Sequence, residues 1–495
     1  MAAVERPYPP GAYDVVVVGS GPGGLQTSYC LDRLGVNHAV LSADDAPGGM
    51  FRRWPIFERL ISWSKADAPV ERGSTHYERY DQNSLVAEAV DARALVPTHM
   101  GRDSVFPTRA EMEAGLRAFA ERGLVRVRHG CRWESTSVAE DGFVLNTSDG
   151  AYRCRFAVLA VGMTQSWKPE LPGIELVPHY AETTGAADYR DRTVVLIGKR
   201  NSGFELADGL LPWARRIVLV SPRAPETAVL AHATVRPRYF QPLEEHQIGG
   251  GVFSLDGAIR RIERTGAGFR VEVSGTTWPG RYVLEADDVI AATGFRVPLG
   301  DLPAAGLRTV LSDRVPALSP YWESISLPGI FFAGNATVGA VGLRRHGIGS
   351  ASSSVRGFRY NARVMAQHIA ERLGRITPAG RPIAHGQVAP LLARDLPTCG
   401  EIWAQKAYLA RVVDLEPGPE ACDRGIQPLS QFVDEPGSDA VAVTIETDQH
   451  GVTFPCVYVR RGGRISVEQL DPHPLNEFDG EPYRRALAKL VDRHP

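Results

Sequence analysis

Short unbroken apolar runs recur along this chain, each closed by glycine or polar residues. Val15–Val18 is four valines in succession. Such a β-branched run, apolar on both sides, predicts a strand buried on both faces of a parallel sheet. Leu25–Leu34 behind it predicts a helix that Gly35 ends, and Val36–Leu41 predicts the next parallel strand. Thr108 and Glu111 form a capping box after Pro107, starting a helix that Gly123 closes. Leu124–Arg128 and Phe156–Val161 predict strands with a hairpin-like polar stretch between them. The order of strand, turn, helix and strand then returns at Thr193–Ile197, Phe204–Ala207 and Arg216–Val220. Asp288–Ala292 and Ile330–Ala333 predict short strands, and Arg359–Leu373 a helix. Gly374–Pro397, dense in proline and glycine, predicts a linker. Beyond it, Ala440–Thr444, Pro455–Val459 and Ile465–Leu470 predict strands, and Pro482–Val491 a closing helix.

The turns between these elements carry the chemistry. Gly19, Gly21 and Gly24 form G-x-G-x-x-G between the first strand and its helix, with Pro22 and Gly23 inside the motif. The first glycine permits the tight turn, the second lets backbone approach a pyrophosphate, and the third lets helix pack on strand. The helix N-terminus then offers unpaired N–H groups to an anion. Roughly 20 residues on, an acid is expected to bind a ribose. Ser42 stands there, with Asp44 and Asp45 just beyond; a hydroxyl holds a ribose less strongly than a carboxylate does. Gly48, Gly49, Met50 and Phe51 follow, then an aromatic and basic segment through Trp54, Trp63 and Lys65. Backbone passing beside a flat ring system suits this stretch, and so does a loop with buried tryptophans.

The second turn reads Gly198-Lys199-Arg200-Asn201-Ser202-Gly203. Arg200 takes the place of the middle glycine, so that either its guanidinium binds phosphate or its bulk closes the site. Ser221 and Arg223 end the next strand with no acid for NADH. Arg223, with Arg236 and Arg238 near in sequence, suits the 2′-phosphate of NADPH. Two dinucleotide turns in one chain suit a redox enzyme that holds one nucleotide tightly and reacts with another. Gly339–Gly349 carries Arg344, Arg345 and His346 and leads into a helix, a second place to hold the edge of an anionic cofactor. His346 is a candidate proton donor there, although a lone histidine in such a turn is more often structural.

Composition narrows the class. The chain has 495 residues, enough for two or three domains, and a formal net charge of −2 with both signs dispersed. That balance favours neither a nucleic-acid nor a membrane partner. Met1–Gly11 lacks an apolar signal core and no run reaches spanning length, giving the expectation of a cytoplasmic protein. Six cysteines form no C-x-x-C and thirteen histidines no H-E-x-x-H, so no metal site is expected.

The series of first nucleotide fold, Ala-x-Gly strand, inserted nucleotide fold, Ala-Thr-Gly strand and Gly-Asn turn resembles FAD- and NAD(P)H-dependent oxidoreductases with two dinucleotide-binding domains. Thioredoxin reductases, flavin-containing monooxygenases and Baeyer–Villiger monooxygenases belong to that group. Leu60-Ile61-Ser62-x-x-Lys65, Asp81-x-Asn83-Ser84-Leu85, Asn201-Ser202-x-Phe204-Glu205, Arg345-His346 and Gly357-Phe358-Arg359-Tyr360-x-Ala362-Arg363 look closest to the ER flavoprotein associated with degradation and its bacterial relatives. The resemblance covers about Tyr13–Leu373 and not the tail. It implies an α/β fold of two Rossmann-like domains, the NADPH domain inserted in the FAD domain, with a small C-terminal α+β appendage. The expected divisions are an FAD domain over 12–185 and 296–375, an NAD(P)H domain over 186–295, and the appendage over 397–495.

By the same resemblance, FAD would lie on Gly19–Gly24, with Ser42 near its ribose. Gly49, Met50, Asn83 and Lys65 would stand by the flavin, and Gly334 and Asn335 at its end. Asn335 replaces the usual aspartate and removes a charge, and flavin-containing monooxygenases carry asparagine where Ser62 falls. NADPH would use Gly198, Arg200, Asn201, Ser202, Gly203, Ser221 and Arg223. The leading expectation is a monooxygenase in which NADPH reduces FAD and O2 forms a flavin C4a-(hydro)peroxide that oxygenates a small molecule. Lys65, then His346 and Arg345, are its candidate catalytic residues, and a homodimer is a further expectation. The alternatives are an FAD-dependent reductase, dehydrogenase or oxidase with a degenerate nicotinamide site, and a non-catalytic FAD-stabilised binding module.

Overall fold

The computed structural model describes residues 6–52, 59–225, 237–239, 241–343, 345–346, 350–377, 380–415 and 420–492. Trp54, Arg236, Arg344, Gly347 and Gly349 lie outside the described residues. The chain divides into two compact units: Met1–Met50, Ser62–Gly162 and Val297–Pro495 form one, Phe51–Ile61 and Met163–Arg296 the other.

In the first unit the valine run forms the middle of a seven-stranded sheet. Strand Ala12–Val18 pairs in parallel with His38–Ser42 on one side and Gly150–Leu159 on the other. Val15, Val16 and Val17 are fully buried, as a run without alternation requires when both faces are covered. Burying each such side chain contributes about 1.5–3 kcal/mol. Gly150–Leu159 shares its other edge between two partners. Gly142–Thr147 pairs antiparallel with its first half and Ile330–Phe332 parallel with its second. That division carries the chain's late Gly334 turn back beside the first glycine turn. Helix Pro22–Arg33 begins earlier than expected because Pro22 suits the first helical position. The expected strand Leu124–Arg128 is not formed. Leu124 takes positive φ after the helix and is exposed, and only Arg128–His129 pairs, with the end of His38–Ser42.

The second unit repeats the plan. Thr193–Ile197 lies between Arg216–Ser221 and Asp288–Ala291, all parallel. Val252–Thr265 begins parallel to Arg216–Ser221 and continues into an antiparallel set with Gly268–Gly275 and Arg281–Ala286. Helix Asn201–Leu210 covers the sheet through Phe204, Leu206, Ala207 and Leu210.

The C-terminal part of the first unit holds a six-stranded antiparallel sheet in the spatial order Arg381–Ala384, Glu420–Pro428, Leu409–Asp414, Ala440–Thr447, Thr453–Arg461, Arg464–Gln469. The linker expected over Gly374–Pro397 is therefore a correction: it contains the edge strand Arg381–Ala384 and helix Val388–Thr398. Val388, Leu392 and Leu396 recur at helical spacing and are fully buried. Pro390 falls in the first turn, where its missing N–H costs no intrahelical bond, and Pro397 costs one such bond near the helix end. That helix and Glu481–Asp492 pack on one face of the sheet.

Lys406 on this domain donates to the hydroxyls of Thr447 (2.9 Å) and Thr453 (3.2 Å). Burial first, then the charges of Arg356 and Arg79, lower its ammonium to about 8. A lysine whose folded value lies below its unfolded value of about 10.4 destabilises the fold fully below pH 8 and is relieved between the two values. Lys406→Met is expected to melt at a higher temperature than wild type at pH 7, with the difference shrinking toward pH 10 in paired thermal scans.

Candidate functional site

Gly19 sits at φ +117° and donates its N–H to Leu41 O at 2.7 Å, which ties the turn to the second strand. Its neighbours in the motif are forced by contact. A Cβ on Gly24 would lie 1.9 Å from Gly19 O, and one on Gly23 would lie 2.4 Å from Gly334 N. Gly21 is different. Its φ of −74° is open to any residue, and nothing lies within 4 Å of where its Cβ would be. Among the described residues no contact requires glycine there. The absent side chain leaves the N-terminus of helix Pro22–Arg33 uncovered, and no side chain caps it. Outward donors without bulk are what a pyrophosphate requires, so the residues present fit a dinucleotide.

Around this turn the fold gathers Ser42, Gly49, Met50, Gly334 and Asn335, while Asn83 and Lys65 are held by residues of 62–81. Ser42 is buried, its hydroxyl 2.8 Å from that of Ser20 and accepting from Asp44 N at 3.2 Å. Gly48 donates to Ser20 O at 3.1 Å, setting Gly49 and Met50 at the start of the short helix Gly49–Arg52. Gly334, at φ +74°, opens the short helix Gly334–Gly339 that includes Asn335. Asn83 is fully buried and donates from Nδ2 to Ser62 O and Ser64 Oγ, both at 3.0 Å. Its Oδ1 is buried without a hydrogen bond. Lys65 is exposed; its N–H donates to Tyr80 O and its carbonyl accepts from Tyr77 Oη.

Arg345 and His346 turn toward the C-terminal sheet. Arg345 Nη1 donates to Tyr458 Oη at 3.2 Å, and His346 Nε2 lies 3.0 Å from Glu446 Oε2. Glu446 is fully buried, and Tyr458 donates to its Oε1 at 2.6 Å. Burial and the Glu446 carboxylate push the Tyr458 hydroxyl up, against the Arg345 hydrogen bond.

At the second turn, Gly198 again has positive φ, and Gly203 closes on Gly198 O as Gly24 does on Gly19. Arg200 caps helix Asn201–Leu210 with its backbone, and its side chain is exposed. Ser202 lies in the first turn, half-buried. Lys199 bends beneath the turn to Leu255 O (3.1 Å) and to the Asp256 carboxylate. Ser221 donates to Arg223 O at 3.3 Å, and the Arg223 side chain is exposed. Arg238 is spoken for by Leu60 O at 2.7 Å. Glu205 accepts from Tyr180 (2.6 Å) and Tyr239 (2.7 Å), and burial raises its carboxyl.

Sequence reasoning missed Ser20, the Lys199–Asp256 pair, and Glu446 and Tyr458. Ser20 was legible as a small polar residue inside the turn. The others meet only through tertiary packing, with separations of 57 and 113 residues between the partners Lys199–Asp256 and Arg345–Tyr458 giving no local signal. Among the described residues no cluster suits a metal ion, and no helix is long and apolar enough to cross a membrane.

A family model described as pyridine nucleotide-disulphide oxidoreductase matches residues 16–334. The FAD-dependent oxidoreductase domain-containing protein 2 of Danio rerio is 28% identical over 51% of this chain, and the alignment spans 37% of that protein. A ferredoxin–NADP reductase of Salinispora tropica is 30% identical over 69% of this chain and 92% of the reductase. The solved flavin-containing monooxygenase of Stenotrophomonas maltophilia superposes with a TM-score of 0.55 at 20% identity, covering 73% of this chain and 99% of the monooxygenase; that likeness concerns the fold alone.

Proposed function

This chain belongs to the pyridine nucleotide-disulphide oxidoreductase family, and from that premise we propose that it is an FAD-dependent, NADPH-using monooxygenase of a small molecule. The observation that carries the reading is a pair of dinucleotide turns in a chain whose six cysteines form no C-x-x-C pair. With no dithiol to relay electrons, the acceptor is a diffusible one, and O2 with a small-molecule substrate meets that need. FAD bound there would supply the redox chemistry, exchanging hydride with NADPH and electrons with the acceptor.

The chain's own residues bind and orient. The N–H groups behind Gly21 would hold the FAD pyrophosphate, Ser42 and Ser20 would offer hydroxyls on the ribose side, and Gly334 and Asn335 would stand at the flavin end. Lys65, exposed, would be a cation offered to the ring side. Arg200 and Arg223, both exposed, supply charge for the NADPH pyrophosphate and 2′-phosphate. Arg200→Gly is expected to raise the KM for NADPH about tenfold, the scale of one lost charged hydrogen bond; a lower KM would mean that its bulk obstructs the site. Arg223→Ala is expected to reduce kcat/KM for NADPH about tenfold while leaving NADH almost unchanged.

The identity to a ferredoxin–NADP reductase favours a second reading, a reductase passing electrons singly to a protein acceptor. Turnover with NADPH under isotopic oxygen separates the two. Labelled oxygen in an organic product supports the monooxygenase. Rapid reduction of ferredoxin with no labelled product supports the reductase, and failure of NADPH to bleach the flavin overturns both.

A further inference from the structure

Three hydrogen bonds of one direction run from the C-terminal domain to the turn that begins at Gly334. Gln405 follows the short helix Gly400–Ala404 and is fully buried. Its Nε2 donates to Asn361 Oδ1 and, at 3.0 Å, to Ser352 Oγ. Asn361, on helix Val355–Arg372, donates from Nδ2 to Thr337 Oγ1 at 3.1 Å. Thr337 donates to Gly334 O at 2.6 Å. Asn361, Thr337 and Ser352 are each 1% exposed. Donors aligned in one sense polarise one another, and in a dry interior loss of the Gln405 amide takes the donor from Asn361 Oδ1.

The same domain grips the loop beyond that turn. The Tyr408 ring packs so close to Gly342 that a Cβ there would lie 2.7 Å from it. Leu343 joins the apolar cluster of Ala410, Val412, Phe432 and Phe454. Arg345 and His346 reach Tyr458 and Glu446 as described above. Holding the Gly334 carbonyl also fixes the peptide plane it shares with Asn335, and with it the direction of the Asn335 N–H.

We propose that the C-terminal domain is part of the flavin site, with Gln405 a positioning residue that acts through Asn361 and Thr337 on the Gly334 turn. The inference rests on the placement of the flavin end of FAD at Gly334 in the reading above. The domain is then a working part of the oxidoreductase and not an appendage.

The test compares the oxidised holoprotein of wild type, Gln405→Met, Thr337→Val and the double variant, with no NADPH present. The dissociation constant for FAD and the visible absorption of the bound flavin are measured. Val441→Ala, which hollows the C-terminal core away from the relay, is the control. Each single relay variant is expected to weaken FAD about tenfold and to shift the flavin band. The double variant is expected to be no weaker than the worse single, because both cut one chain. Val441→Ala is expected to lower the melting temperature alone. Losses that multiply in the double variant, or a wild-type affinity and spectrum in Gln405→Met, would overturn the proposal. If Gln405→Met does not fold, Gln405→Asn takes its place, its amide a methylene short of Asn361. Failure of NADPH to reduce the flavin would remove the monooxygenase reading and leave this comparison standing, whereas a wild-type chain that holds no FAD would overturn both.

Discussion

Gly24→Ala is expected to yield a protein that does not retain FAD and melts well below wild type. The new Cβ would lie 1.9 Å from Gly19 O and 3.3 Å from Ala160 Cβ. Neither neighbour is free to give way. Gly19 N–H is bonded to Leu41 O, and Ala160 N–H to Val18 O at 2.8 Å. Helix Pro22–Arg33 must therefore lift off the first strand, breaking the contact that aims its N-terminus. Overpacking of this kind costs about 1–3 kcal/mol in a core that can adjust, and this one is pinned by backbone. Gly21→Ala is the informative comparison, since its Cβ meets nothing. It is expected to leave the melting temperature of the apoprotein unchanged while weakening FAD. Flavin content after purification and apoprotein melting curves measure the two effects separately. Normal FAD affinity in Gly21→Ala would mean that the pyrophosphate does not lie over this turn.

Arg359→Met is expected to lower stability by about 3–5 kcal/mol, the scale for stripping one partner from a buried charged network. Arg359 is 1% exposed, and its fork donates to Ser84 O at 2.7 Å and Glu78 O at 2.9 Å. It also donates to Tyr360 Oη, which in turn donates to Glu78 Oε2 at 2.5 Å. Removal orphans two carbonyls and leaves the Glu78 carboxylate short of its nearest compensating charge. Burial already raises the Glu78 carboxyl, with Arg359 foremost in opposing that rise. A carboxyl held above its unfolded value of about 4.3 weakens the fold as pH climbs through that value toward the folded one. The deficit of Arg359→Met is thus expected to be larger at pH 7 than at pH 5, as read from denaturant melts at both. Arg359→Lys is expected to recover only part of the loss, because a single ammonium does not match two carbonyls spread across a planar fork.

The parallel core was legible because burial on both faces leaves a period-free signature, and Val15–Val18 has one. The glycine turns were legible for a related reason: at Gly19, Gly23, Gly24, Gly198 and Gly203 a side chain is forbidden by backbone less than 3 Å away, so the residue type records the geometry. Gly374–Pro397 was misread because proline content outweighed the helical spacing of Val388, Leu392 and Leu396. Arg345 and His346 stood out as polar residues in a glycine-rich run, yet their partners Tyr458 and Glu446 lie on strands that read locally as plain alternation.

By itself the sequence determined the two dinucleotide turns, the strands that carry them and the absence of a C-x-x-C pair. Each of these is read from residue types at fixed short spacings, where turn, strand and helix rules act directly. Only the tertiary structure decided that Gly21 is open while Gly23 and Gly24 are blocked. It alone joined Gln405 to Gly334 through Asn361 and Thr337, and set Glu446 against His346. Those contacts depend on how a late antiparallel sheet meets the Gly334 turn. Hydrogen bonds between residues tens of positions apart leave no period in the chain, and packing alone brings their donors and acceptors within reach.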